Sequence, residues 1–324
     1  MSFNKVLITG GSGLIGSHLA EQLLPFSEKL LIIDDFSTGR AKNLSEIANN
    51  PKVSIFEGSI TDQSFLDVHF KDVDLCIHLA ASLGVNRILE QGRISYETNV
   101  HGTENVVRRA SDSGAKLFFA STSEIYGKNP IQPLNEESDR VLGSPLNVRW
   151  SYSEAKALDE SLIQIYRQEK DLRFVIGRFF NTVGPRQTGS YGMVLPRFVK
   201  AALGGEDIKV YGDGSQTRVF CHVKDASRAV ISLVSNDQLE GEVFNIGGEG
   251  EISIRALAEK VIELSKSSSL IKHIPYSEAY PAGFEETFRR VPDTSKLRKA
   301  IGWQPQYTLD DIILDVINYF HQTN

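Results

Sequence analysis

Short apolar runs alternate with amphipathic stretches through the first half of the chain. Lys5–Thr9, Lys29–Asp34, Val53–Glu57, Asp74–Ala80, Lys116–Ser121 and Arg173–Phe179 read as strands, and Leu14–Leu24, Arg93–Ala110 and Ser153–Gln168 repeat their apolar residues at helical spacing. Strands and helices alternating at this pace predict right-handed βαβ crossovers, hence an α/β fold with a doubly wound parallel sheet covered on both faces. Such sheets bind ligands beyond the carboxyl ends of their strands. After Asn181 the texture changes to loops rich in Gly, Pro and Arg, and the apolar helical pattern Leu309–Phe320 closes the chain. The pattern predicts a Rossmann-type domain over residues 1–180, completed by about 219–240, with 181–218 and 241–324 forming a smaller, irregular substrate-binding lobe.

Composition narrows the partners. The 324 residues carry a formal charge of −6, which offers no electrostatic footprint for nucleic acid or an anionic membrane. No apolar stretch approaches the roughly 20 residues that span a bilayer, and no signal segment precedes the first strand, so a cytoplasmic protein is expected. The two cysteines, Cys76 and Cys221, have no second sulfur nearby in sequence, and the seven histidines do not cluster, so no metal is expected. His18, His78 and His101 read as packing or hydrogen-bonding residues.

Chemistry concentrates at the strand ends. In KVLITGGSGLIGSHL, Gly10, Gly13 and Gly16 follow the first strand and open a helix, a spacing that lets backbone approach a pyrophosphate at a helix N-terminus. Asp34 ends the next strand, where a carboxylate accepts from both adenosine ribose hydroxyls and repels a 2′-phosphate, so NAD is favoured over NADP. In RWSYSEAK, Tyr152 and Lys156 are four apart and share a helix face. A neighbouring ammonium favours the phenolate, which predicts a lowered Tyr152 pKa and a usable base for an alcohol. The stretch ASTSEIYGK adds Thr122, Ser123 and Glu124 where a strand runs out.

The G-x-x-G-x-x-G spacing, CIHLAA, TNVHGT and YSEAK together resemble the extended branch of the short-chain dehydrogenase/reductase superfamily, whose members act on nucleotide sugars. The resemblance runs from Lys5 to about Tyr307. It implies catalytic roles for Tyr152, Lys156 and Thr122, with Glu124 as a second acid–base group. For the cofactor it implies Leu14 and Ile15 beside the glycines, then Asp35, Ser37, Thr38 and Gly39 after the second strand. Ser59 and Ile60, then Leu79, Ala80 and Ala81, and finally Asn99, complete that set. Ser123, Arg149, Asn181, Arg197 and Tyr211 are implied for the substrate, a UDP-sugar, with Arg218 and Arg290 as diphosphate clamps. The family also implies a homodimer through the helices near Arg93–Ala110 and Ser153–Gln168.

Oxidation at carbon 4 of the sugar opens three outcomes: decarboxylation of a uronate, 4-epimerisation, or 4,6-dehydration. Thr122-Ser123-Glu124 resembles UDP-glucuronate decarboxylases and also GDP-mannose 4,6-dehydratases. The downstream segments, Arg149 before Tyr152, and Arg218 in SQTR resemble the decarboxylases. Asp34-Asp35-Phe36-Ser37-Thr38-Gly39 is closer to epimerases, Ser59 stands where many relatives have Asp, and Tyr191-Gly192-Met193 departs from the decarboxylases' Asp-Gly-Arg. UDP-glucuronate decarboxylation is the leading expectation, with 4-epimerisation and then dehydration as alternatives.

Overall fold

A computed structural model describes residues 2–84, 91–188, 193–280 and 285–323. Tyr191 and Gly192 lie outside the described residues. Its centre is a seven-stranded parallel sheet of β1 (Phe3–Thr9), β2 (Ser27–Asp34), β3 (Val53–Glu57), β4 (Leu75–His78), β5 (Lys116–Thr122), β6 (Phe174–Phe179) and β7 (Glu242–Ile246). The spatial order is β7-β6-β5-β4-β1-β2-β3. Six of these strands lie within two residues of their sequence-based bounds, because strands buried on both faces are unbroken apolar runs. β7 is a correction: Glu242–Ile246 was assigned to the lobe, yet it pairs along β6 from Glu242 opposite Val175 to Ile246 opposite Phe179.

Alternation along each strand sorts side chains between two cores. Val6, Ile8, Leu30, Ile32 and Phe118 face one side, against α1 (Leu14–Leu23) and a later helix, Val223–Val234. Leu7, Leu31, Ile33, Leu117 and Phe119 face the other, against α2 (Gln63–His69), α3 (Thr103–Ser113) and α4 (Ser151–Lys170). The continuous helix expected over Arg93–Ala110 is instead a short helix, Gly92–Tyr96, a π-helical turn, Glu97–Gly102, and α3. The wide turn buries Asn99, whose side chain accepts from Ser82 N–H at 2.8 Å and donates to Ser82 C=O at 2.9 Å. A π-turn inserted for such a contact breaks the 3.6-residue period that sequence patterns report.

Helices Val194–Leu203, Ile254–Ser265 and Leu309–Thr323 share a third core, the body of the lobe. A small sheet beside it pairs Thr217–Val219 with Glu251–Ser253 and with Arg289–Arg290, setting Arg290 opposite Arg218. Among the described residues no helix is long and apolar enough to cross a membrane.

Lobe and sheet are tied at the buried Asp225, in Val223–Val234, whose Oδ2 accepts from the N–H groups of Gln306 at 2.9 Å and Tyr307 at 3.2 Å. Hydrogen bonds to a charged acceptor contribute about 1.5–3 kcal/mol. Asp225→Ala is therefore expected to lower unfolding stability by about 2–3 kcal/mol, measured by urea titration, with the native fold retained.

Candidate active site

The order of the strands reverses between β1 and β4, and the loops leaving these two strands open a crevice there. Close approach at that point requires glycine. A Cβ on Gly10, whose φ is +69°, would stand 2.6 Å from Ala80 N, and one on Gly16 would stand 2.4 Å from Gly10 O. Helix α1 begins at Gly13 with no side-chain cap and no acid in its first turn, so its leading N–H groups and dipole face the crevice. Asp34 is buried, held by Ser12 N–H and Phe36 N–H, each at 2.9 Å, with further lone pairs left for a diol. These features fit a dinucleotide: the uncapped helix start would hold its pyrophosphate and Asp34 its adenosine ribose.

The crevice widens into a cavity of about 490 Å³ that continues between sheet and lobe. Of the expected cofactor residues, Gly10, Gly13, Leu14, Ile15 and Gly16 line it, as do Asp34, Asp35, Ser37 and Thr38. So do Ser59, Ile60, Leu79, Ala80 and Ala81. Asn99 and Gly39 stand behind the wall: Asn99 holds Ser82, which does line the cavity, and Gly39 backs onto Ser12, whose Oγ a Cβ would meet at 1.9 Å.

The opening stretch of α4 and the end of β5 meet at the cavity's centre. Tyr152, Thr122 and Ser123 line it, and the Thr122 hydroxyl hydrogen-bonds the Tyr152 phenol. Lys156 does not reach the cavity surface. It is 1% exposed, with its ammonium 4.3 Å from the centre of the Phe119 ring. The lowered Tyr152 pKa expected from Lys156 is not found. Burial, with the charges of Glu124 and Asp159 behind it, pushes the phenol well above its ordinary value, and the Thr122 hydrogen bond offsets only part of this. Lys156 is not among the groups that shift the phenol; burial lowers its own pKa, against the opposing charges of Asp159 and Glu160.

Glu124 corrects a second expectation. Its Oε2 accepts from Arg149 Nη2 at 2.7 Å, its Oε1 pairs with Arg290 Nη1, and its backbone carbonyl accepts from Ser153 Oγ at 2.7 Å. Burial alone would raise its pKa, but the Arg290 and Arg149 guanidiniums overcome this and hold the carboxyl well below the usual carboxylate range. In this state Glu124 is a fixed carboxylate and holds no proton to donate. Arg290 also donates to Asn181 Oδ1 at 3.1 Å, and Asn181 in turn donates to Val219 C=O at 2.8 Å.

Every expected substrate residue, namely Ser123, Arg149, Asn181, Arg197, Tyr211, Arg218 and Arg290, lines the cavity. Arg197 lies 4.2 Å from the Tyr211 ring centre, and the Tyr280 ring meets Tyr211 edge-on at 5.4 Å, so cation and aromatic rings cluster in this part of the cavity lining. Two residues missed by the sequence reading also line it: Glu286, paired with Arg218 at 2.9 Å, and Arg186, paired with Glu21 at 2.5 Å. The Gly-Pro-Arg turn was the available signal for Arg186. Nothing in the spacing of Arg218 and Glu286, far apart in sequence, announces their pairing.

Removing one member of a buried ion pair costs roughly 3–5 kcal/mol, so Glu124→Gln should be destabilised by about that much at neutral pH. A carboxyl whose pKa falls on folding stabilises above its unfolded value, about 4.3, and loses that contribution as pH drops towards the folded value. The stability gap between wild type and Glu124→Gln should stay constant from pH 7 to about 5 and narrow below about 4, as read by denaturant titrations across pH.

Comparison with known proteins agrees with this geometry. The sequence profile of the NAD dependent epimerase/dehydratase family matches residues 6–247. The chain is 40% identical over 319 residues to UDP-N-acetyl-alpha-D-glucosaminuronate decarboxylase of Bacillus cytotoxicus, covering 98% of each. It is 33% identical over 306 residues to UDP-glucuronic acid decarboxylase 6 of Arabidopsis thaliana, covering 94% of this chain and 85% of that one. Its fold superimposes with a TM-score of 0.89, at 28% identity and over 100% of both chains, on UDP-N-acetylglucosamine 4-epimerase from Methanobrevibacter ruminantium, solved in complex with UDP-N-acetylmuramic acid. Glycine turn, buried acid at the end of β2, Tyr-Lys helix and sequence profile agree, and the chain belongs to the NAD dependent epimerase/dehydratase family.

Proposed function

We propose that the protein decarboxylates a UDP-linked hexuronate, with a 2-acetamido uronate ahead of UDP-glucuronate itself. The observation that carries this reading is the pair of guanidiniums, Arg149 and Arg290, converging on one carboxylate beside the Tyr152–Thr122 hydroxyls. A site that holds Glu124 in this way has the charge and the hydrogen-bond donors to orient a substrate carboxylate. The relative at 40% identity, named for a 2-acetamido uronate, supports the order of preference.

NAD held along the glycine turn would supply the hydride acceptor needed to oxidise carbon 4. Tyr152 takes the carbon 4 hydroxyl proton only once it has lost its own proton to solvent, an ionisation that the positively charged nicotinamide of bound NAD would favour, and Thr122 lines the cavity with it. Arg149 and Arg290 hold the uronate carboxylate, now β to that ketone, in a fixed orientation, and Glu124 keeps both guanidiniums in place. Arg218 grips the diphosphate, and Tyr211 with Arg197 offers a stacking surface for the base.

A 4-epimerase is the second reading, supported by the fold shared with UDP-N-acetylglucosamine 4-epimerase. Incubation with UDP-N-acetylglucosaminuronate, UDP-glucuronate and UDP-N-acetylglucosamine, with products followed by mass and NMR, separates the two. Release of carbon dioxide from a uronate is expected, and inversion at carbon 4 without it favours the epimerase. Tyr152→Phe should lower kcat by about 10²–10⁴-fold.

The reading includes a cytoplasmic homodimer, consistent with two free, buried cysteines and with apolar side chains left exposed on the outer helices: Ile94, Tyr96, Leu158 and Ile165. Leu158→Asp combined with Ile165→Asp should turn the dimer into a monomer in sedimentation velocity, while a wild-type chain that sediments as a monomer contradicts this part.

A further inference from the structure

Behind the cavity wall, the inner face of α4 carries more charge than the reaction uses. Glu160, next to Lys156 in space, is already committed. Arg178 donates to it through Nε at 3.0 Å and Nη2 at 2.6 Å, and the Ser121 hydroxyl donates to the same carboxylate. Asp159 is different. It is 1% exposed, its Oδ2 has no hydrogen-bond partner, and among the described residues it forms no ion pair with any arginine or lysine within 4.0 Å.

From the facing helix α3, the Thr103 hydroxyl favours the ionised form of this carboxyl. That hydroxyl ends a directed chain. Ala80 N–H donates to Thr9 Oγ1 at 3.3 Å, Thr9 Oγ1 lies 2.7 Å from His78 Nδ1, and His78 Nε2 lies 3.1 Å from Thr103 Oγ1. Burial first, and then the Lys156 charge, keep His78 neutral. With its proton on Nε2, Thr9 donates to Nδ1, Nε2–H donates to Thr103, and the Thr103 hydrogen is left for Asp159.

We propose that Asp159 is a positioning residue that acts through Lys156: a buried counter-charge, aligned by the Thr9–His78–Thr103 chain, that keeps the ammonium charged and sets the pH range in which Tyr152 and Lys156 work. This rests on reading Tyr152 and Lys156 as the proton-transfer pair. The groups facing Asp159 are Lys156 and Glu160 from its own helix and Thr103 from α3. Tyr152 feels its charge along α4, and His78 is reached through Thr103. Burial pushes the Asp159 carboxyl up to about 7, against the opposing pull of Lys156 and Thr103, so it changes charge near neutrality. Burial lowers the Lys156 pKa, and Asp159 is the first group that raises it again.

The sign of the effect is unambiguous. Removing a negative charge makes every neighbouring group more acidic, so in Asp159→Asn both Tyr152 and Lys156 should titrate at lower pH. Both limbs of the kcat/KM profile for carbon dioxide release should move together by about one pH unit to the acid side, while Asp159→Glu keeps the wild-type limbs. In ligand-free protein carrying carbon-13 carboxyl-labelled aspartate, one resonance should titrate near neutrality and be missing from Asp159→Asn. Thr103→Val, which removes the hydrogen bond favouring the ionised carboxyl, should move that resonance to higher pH, and it serves if Asp159→Asn fails to fold. A profile for Asp159→Asn that superimposes on wild type, or no aspartate titrating near neutrality, overturns the proposal. Full activity of Tyr152→Phe would instead overturn the reading beneath it and leave the carboxyl titration untouched.

Discussion

The carboxylate of Glu124 between Arg149 and Arg290 is the contact on which the site's shape depends. Glu124 sits in the turn that leaves β5, Arg149 in the segment leading into α4, and Arg290 on a strand of the lobe. One side chain thus ties the parallel sheet, the helix carrying Tyr152 and Lys156, and the lobe that closes the cavity. The neighbouring backbone reinforces the tie, because Glu124 C=O is held by Ser153 in α4 and Arg290 reaches Asn181 where β6 ends. Two arginines as buried as Arg149 and Arg290 are costly to leave unpaired, so the three parts keep one arrangement.

Beneath this triad a second polar network performs the same service out of reach of the cavity. Arg178 bridges Glu160 to Tyr126, the Tyr126 hydroxyl donates to Asn245 at 2.7 Å, and Asn245 donates to the backbone of Leu134 at 2.9 Å. Leu134 in turn accepts from Asp293 N–H and donates to Val291 C=O, on either side of the strand end that carries Arg290. Packing at the sheet edge, through Asn245 in β7, is therefore transmitted by hydrogen-bonded groups to the Arg290 guanidinium in the cavity wall. Two families of buried charge result: paired ones that hold shape, and Lys156 with Asp159, both buried on α4 without a salt bridge among the described residues.

The parallel sheet, the glycine turn with Asp34, and the Tyr-Lys helix were legible because each leaves a local signature: unbroken apolar runs, glycines at fixed offsets, a four-residue repeat. The edge strand Glu242–Ile246 was not, since EVFNI is too short and too mixed to stand out from the loops around it. The π-turn at Glu97–Gly102 was not, because its reason is a contact with Ser82, seventeen residues away from Asn99. The roles of Glu124 and Tyr152 were inferred from residue type, while their ionisation depends on Arg290 and on burial, which only the fold supplies. Asp159 and Glu160 did carry a signal that went unread: two acids on the inner face of a helix, at positions where apolar residues are the rule.

The central claim is that hydride leaves carbon 4 of a UDP-linked uronate, carbon dioxide then leaves carbon 5, carbon 5 takes a proton from solvent, and the same hydride returns to carbon 4. The most direct measurement uses the UDP-uronate deuterated at carbon 4, turned over by the NAD-loaded enzyme in ordinary water. The account predicts that carbon dioxide is released and that the deuterium is found back at carbon 4 of the product, on the same sugar that lost it. Deuterium appearing in solvent, or carbon dioxide release from a substrate blocked at the carbon 4 hydroxyl, would contradict it.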